Sequence, residues 1–149
     1  MFRRIFATRD ELTLTVARLA LGVVLFAHGA QLMLGWFGGS GYAGSMQFFT
    51  QTLHMPAPLA WLAIVSQFTG SVALLLGFLT RIAALGIAID MLVAIFKVHI
   101  HVGFFMNWAG TQKGEGYEYH LLALALCFLL MVKGAGAFSI DGAVYDGTR

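Results

Sequence analysis

Charge is what this sequence has least of. Of its 149 residues, 9 are Lys or Arg and 7 are Asp or Glu, 11% in all, whereas apolar residues make up 59%. A typical soluble domain carries roughly 25% charged residues, and so few charges cannot cover a hydrated surface. The composition excludes an ordinary soluble domain and implies an integral membrane protein of one-domain length. Cysteine is nearly absent as well. The single Cys127 excludes an intramolecular disulfide, a Cys-x-x-Cys redox pair and an all-cysteine iron–sulfur site. Lying within an apolar run, it reads as a small hydrophobe. The chain also lacks a dinucleotide-binding fingerprint, a nucleic-acid-binding patch, an internal repeat and a domain linker.

What the chain has in abundance is continuous hydrophobicity. Four apolar segments stand out, at 13–34, 58–77, 82–101 and 117–134. Each is near the ~17–25 residues that a helix needs to span a bilayer. Backbone polar groups in lipid must bond internally, so each segment should be helical. The first run is too long for a signal-peptide core and is read as a retained helix. The expected fold class is therefore an all-α membrane protein, a four-transmembrane-helix bundle forming one domain over 1–149. Arg3, Arg4, Arg9, Arg81, Lys133 and Arg149 flank one side of these segments, against Lys97 and Lys113 on the other. That bias predicts an inner-membrane protein with both termini cytoplasmic. In the first connection, the amphipathic stretch 44–55 predicts a short helix in the outer interface, with an irregular loop as the alternative. Pro56 and Pro58 end it. Small residues at Gly22, Gly29, Ser66, Gly70, Ala73 and Gly77 mark helix-packing faces.

Ionisable groups inside a span are costly, about 2.5–3.5 kcal/mol for Asp, Lys or Arg at the helix centre on insertion scales. Arg18 and Asp90 fall at similar depths near the cytoplasmic side, which predicts an interhelical ion pair; a snorkelling Arg18 is the alternative. Asp90, Ala94, Lys97 and His101 share one face of a regular helix, while His99 points elsewhere unless the helix end frays. Residues 97–120 hold three of the five histidines. This topology gathers His28, Lys97, His101, Glu118 and His120 towards one outer-leaflet pocket, with Gln67 near its floor. Phe104, Phe105 and Trp108 are candidate stacking walls. Three readings of the pocket compete. A metal or haem site lacks any compact ligand spacing, and no metal is assigned. A quinone or similar aromatic ligand needs an apolar slot, a few polar groups and residues able to move protons, which suits histidine. The third reading is a structural polar network with interfacial aromatics.

Five pieces of sequence resemble the DoxX family of small bacterial four-helix membrane proteins. They are R-L-A-L-G-V-V-L-F-A-H-G-A-Q-L-M (18–33), G-S-V-A-L-L-L-G-F-L-T-R-I-A-A (70–84), D-M-L-V-A-I (90–95), G-E-G-Y-E-Y-H-L-L-A-L-A (114–125) and G-A-G-A-F-S-I-D (134–141). One departure is Gln67, where family members often carry a glutamate; an amide hydrogen-bonds but does not exchange a proton. The resemblance implies a membrane-embedded redox role, with relatives linked to thiosulfate:quinone oxidoreduction, oxidative stress and resistance to quinone-like compounds. It also implies that Arg18, His28, Asp90 and Glu118 matter. The expectation is a redox-associated inner-membrane subunit that binds a quinone, with catalysis itself left open. Its partners would be the lipid bilayer, redox proteins or a second copy of itself, and not nucleic acid. A non-enzymatic membrane anchor for soluble redox enzymes and a small transporter are the alternatives.

Overall fold

A computed structural model describes residues 5–147, and all regular structure among them is helical. Among the described residues six α-helices follow one another from Leu12 onward: α1 (Leu12–Leu34), α2 (Gly41–Gln47), α3 (Ala57–Leu76), α4 (Thr80–Lys97), α5 (Glu118–Lys133) and α6 (Ile140–Gly147). The four long ones pack in a ring, α1 on α3, α3 on α4, α4 on α5 and α5 back on α1. The core between them is Leu21, Leu25, Leu74, Ile87, Met91 and Leu130, with Ala84, Ala123 and Cys127 where the helices come closest. Cys127 is fully buried there, behaving as a small hydrophobe.

The helix ends follow from local chemistry. Gly35, at φ 73°, closes α1 in the left-handed conformation that glycine adopts without strain. Pro56 and Pro58 sit at the start of α3, where a missing N–H costs nothing. At the far end of α3, Gly77 (φ 65°) donates to Leu74 O and Phe78 N–H donates to Ala73 O, a left-handed helix stop. The small-residue faces pack as their size predicts. A Cβ added to Gly29 would lie 2.8 Å from Phe68 Cα, so α1 and α3 touch backbone to backbone.

Arg18 and Arg81 show the helices to be antiparallel and bind the termini's end of the bundle together. Arg18, from the start of α1, reaches the last turn of α3, and Arg81, from the start of α4, bonds Met131 O and Val132 O at the end of α5. Arg81 also donates to Ala7 O at 2.8 Å. The expected Arg18–Asp90 pair does not form. The Arg18 side chain is 1% exposed and spends its donors on carbonyls, Ala135 O (2.9 Å), Leu74 O (2.6 Å), Leu75 O (2.8 Å) and Phe138 O (3.1 Å). The ends of a helix offer unpaired carbonyls, and a guanidinium's fork of donors satisfies several at once. Asp90 instead meets the hydroxyl of Ser66 on α3. Among the described residues the ion pair is Arg9–Glu11, at the surface.

Two helices, α1 and α3, are long and apolar enough to cross a membrane by length and composition. Helix α4 has 18 residues and α5 has 16. The third segment is shorter than expected: its α-helix stops at Lys97, and His99–His101 form a separate 3-10 turn. In the first connection, α2 runs directly into a π-helical turn, Phe48–Thr52, so the short helix expected there is present. Arg3, Arg4 and Arg149, used for the orientation expectation, lie outside the described residues.

Candidate functional site

At the opposite end of the bundle from Arg18, the helices enclose a cavity of about 310 Å³. Four helices contribute: Leu25 and His28 from the second half of α1, Ala63 and Gln67 from α3, Asp90 to Lys97 from α4, and Tyr119 and His120 from the start of α5. The π-helical turn and the chain after it cover the top with Phe48, Phe49, Leu53 and Met55. π-Helical turns inside α-helices occur often at functional sites. Val98, His99, Met106 and Glu115 close the side.

Of the residues expected to gather here, His28, Gln67, Lys97 and His120 line the cavity, and His101, Trp108 and Glu118 do not. His101 is exposed and outside the cavity, and His99 takes its place. The reason is the helix break: Val98 adopts φ −123°, ψ −58°, and the following 3-10 turn rotates successive side chains by a different angle from the α-helix. A helical wheel extended past Lys97 thus points at the wrong histidine. Trp108 is 87% exposed, and Phe104 and Phe105 are exposed too; the phenylalanines that line the cavity are Phe48 and Phe49. Glu118 does not line the cavity. Its Oε1 accepts the Met106 N–H (3.0 Å) and Trp108 Nε1–H (3.3 Å), while Glu115 Oε2 accepts the Asn107 N–H (2.7 Å). Glu118, the first residue of α5, thus ties the 98–117 connection to the bundle, while Glu115 closes the connection on itself.

Inside the cavity the aromatic and imidazole rings form a chain. His28 stacks on Tyr119 with centroids 6.1 Å apart, Tyr119 meets His120 edge-on at 5.4 Å, and His120 lies 4.2 Å from His99. His99 Nδ1 is bonded to Glu115 O at 2.8 Å and His28 Nδ1 to Val24 O at 2.9 Å. His120 is 6% exposed, and neither its buried Nδ1 nor the buried Tyr119 hydroxyl has a hydrogen-bond partner among the described residues. Buried polar atoms are nearly always paired, and these two belong to consecutive residues that both line the cavity. Among the described residues no group of three or more His, Cys, Asp or Glu is arranged to hold a metal ion. Tyr119 and Asp90 are the cavity residues that sequence reasoning undervalued. Asp90 shared a face with Lys97 and was assigned to Arg18, while Tyr119 gave no signal beyond adjacency to His120.

A ring of apolar helices around a small cavity with a few convergent polar groups defines a helical membrane protein with an internal ligand-sized pocket. The chain belongs to the DoxX family, whose model matches residues 13–100. It is 30% identical over 132 residues to "Inner membrane protein YqjF" of Escherichia coli (strain K12), covering 89% of this chain and 92% of that one. It is 24% identical over 139 residues to "Putative oxidoreductase CatD" of Bacillus subtilis (strain 168), covering 93% and 92%. An uncharacterized protein of Haemophilus influenzae is 27% identical over 131 residues, covering 87% and 81%. No solved structure matches the chain.

Proposed function

We propose that this protein is a redox-associated subunit of the bacterial inner membrane that binds a quinone, or a similar small aromatic molecule, between its helices. The observation that carries this reading is the cavity itself: apolar walls, with two orphaned polar atoms and three imidazoles gathered at one end. Its volume of about 310 Å³ sits at the small end of ligand pockets, which span about 300–1,000 Å³. That suits a ring-sized headgroup, with a lipophilic tail left in the bilayer. His28 and Lys97, both exposed, mark where the cavity opens. No dinucleotide motif accompanies the pocket, so electrons would reach the ligand from a partner protein or a soluble donor.

In this reading the whole chain is one domain crossing the membrane four times, with both termini in the cytoplasm and the pocket in the outer half. Large apolar side chains project outward from all four long helices, among them Val23, Leu62, Ile89 and Leu122; soluble monomers rarely expose so continuous an apolar surface. Helices of 18 and 16 residues are about 27 and 24 Å long, short of the roughly 30 Å core, which local thinning and flanking residues accommodate. Arg9, Arg81 and Lys133 lie at the termini's end of the bundle, as the positive-inside rule requires. The name of the Escherichia coli relative agrees with this location, and that of the Bacillus subtilis relative with a redox role.

The test is calorimetric titration of the purified protein in nanodiscs with a short-chain ubiquinone, oxidised and reduced, against empty nanodiscs. An Ala94→Phe variant, which fills the cavity, is titrated alongside. Saturable binding of either form that Ala94→Phe abolishes supports the reading. Absence of saturable binding by folded wild-type protein refutes it.

A further inference from the structure

The termini's end of the bundle carries a second hollow, of about 290 Å³, lined by Ala7, Thr8, Arg9, Arg81, Val132 and Lys133. Three segments far apart in the chain build it. Arg81, in the first turn of α4, donates to Ala7 O through Nη2 (2.8 Å) and Nε (3.3 Å), and through Nη1 to Met131 O and Val132 O at the end of α5. The Gly136 N–H donates to Thr8 Oγ1 at 2.8 Å, and a Cβ added to Gly134 would lie 2.6 Å from Ala7 O. The 7–9 segment is therefore pressed on the end of α5, and the Arg81 guanidinium is pinned between the two. A cation already held in place loses little freedom when an anion binds it.

The charge of the hollow is one-sided. Arg9, Arg81 and Lys133 line it, and no carboxylate does. Arg81 bonds only neutral carbonyls, so its charge is not cancelled. Lys133 makes no ion pair among the described residues, and Arg9 has only an exposed pair with Glu11, which water weakens. Below the hollow, Val132, Phe128 and Leu121 recur at helical spacing as an exposed apolar stripe along α5. We propose that the hollow binds the headgroup phosphate of an anionic phospholipid, whose acyl chains lie along that stripe. A phosphodiester supplies the negative charge that the three cations lack. A zwitterionic headgroup adds an ammonium, which no lining carboxylate meets. The site needs the four-span reading above but not its quinone. In that reading it falls in the cytoplasmic leaflet, where cations close to the surface attract anionic lipid.

The test uses delipidated full-length protein in dodecyl maltoside, with phosphatidylglycerol or phosphatidylcholine of the same acyl chains added. Native mass spectrometry counts bound lipid and thermal melting reads its effect on Tm. Phosphatidylglycerol should form a one-to-one adduct that raises Tm, and should bind about fivefold or more tightly than phosphatidylcholine. Lys133→Gln and Arg9→Gln, neither of which removes a bond that pins the hollow, should each weaken it about fivefold, and Lys133→Arg should retain it. Lys113→Gln removes a charge from the 98–117 connection and should leave phosphatidylglycerol affinity within about twofold. Equal affinity for the two lipids overturns the proposal. A Lys113→Gln loss as large as that of Lys133→Gln overturns it too, since net charge alone would then be acting. Glycerol 3-phosphate that raises Tm as much as phosphatidylglycerol at equal concentration also overturns it, leaving a site for soluble phosphate. None of these outcomes touches the quinone reading. Recovery of folded protein without detergent overturns the membrane reading and this proposal together.

Discussion

Replacing Arg18 by leucine tests the most consequential departure of the structure from a charge-pair picture. The guanidinium is buried and bonds Ala135 O, Leu74 O, Leu75 O and Phe138 O. Leucine removes every one of these bonds, but the losses are unequal. Leu74 O also accepts the Gly77 N–H at 3.1 Å and remains satisfied, and Phe138 is 85% exposed, so its carbonyl is counted as recoverable by water. Ala135 O and Leu75 O are left without a donor. Each stranded acceptor costs about 1–3 kcal/mol, about 2–6 kcal/mol for the two, and the desolvation that the arginine itself required lowers the expected loss to about 2–4 kcal/mol. A lysine at this position keeps a charge but has a single donor centre, and should recover only part of the loss. The assay is reversible unfolding in mixed micelles by SDS titration, followed by far-UV circular dichroism. The double variant Arg18→Leu/Asp90→Asn decides between the carbonyl cradle and an ion pair. Without a direct contact the two losses should add within about 0.5 kcal/mol. A coupling above about 1 kcal/mol, or an Arg18→Leu cost below that figure, would refute the argument.

Four further outcomes are expected. Asp141, 1% exposed, accepts the Leu79 N–H (2.7 Å) and the Thr80 N–H (2.8 Å), capping α4 from 61 residues away and holding Leu79 at φ 47°. Asp141→Ala should cost about 2 kcal/mol in the same unfolding assay, and amide exchange at Thr80 should rise with it. Gly29→Val drives a branched side chain into the Phe68 backbone; it should destabilise by about 1–3 kcal/mol or more, whereas a mutant as stable as wild type would mean that α1 and α3 do not cross there. His101→Ala, outside the cavity, should leave the affinity for the short-chain ubiquinone within twofold. Glu118→Gln weakens the acceptor for the Met106 N–H and should speed hydrogen exchange at that amide about tenfold.

Much of this protein was legible in the order of its residues, because membrane segments announce themselves by length and composition alone. The helical class, the two longest helices, the small-residue contact at Gly29 and the helix capping the first connection follow from hydrophobic runs, glycines and prolines. So does the neighbourhood of the pocket, since an up-and-down topology brings His28, Gln67, Lys97 and His120 to one end whatever the details. Tertiary structure alone decided the rest. Arg18 bonds carbonyls 56 to 120 positions away in the chain, and no local pattern distinguishes those carbonyls from any others, because every residue has one. Asp141 caps a helix it does not precede, so its role is invisible to any rule about neighbouring residues. The exchange of His101 for His99 comes from one backbone torsion at Val98. A period of 3.6 assigns faces only while the helix continues. Where it breaks, the contacts made by the following turn choose which side chain enters the cavity.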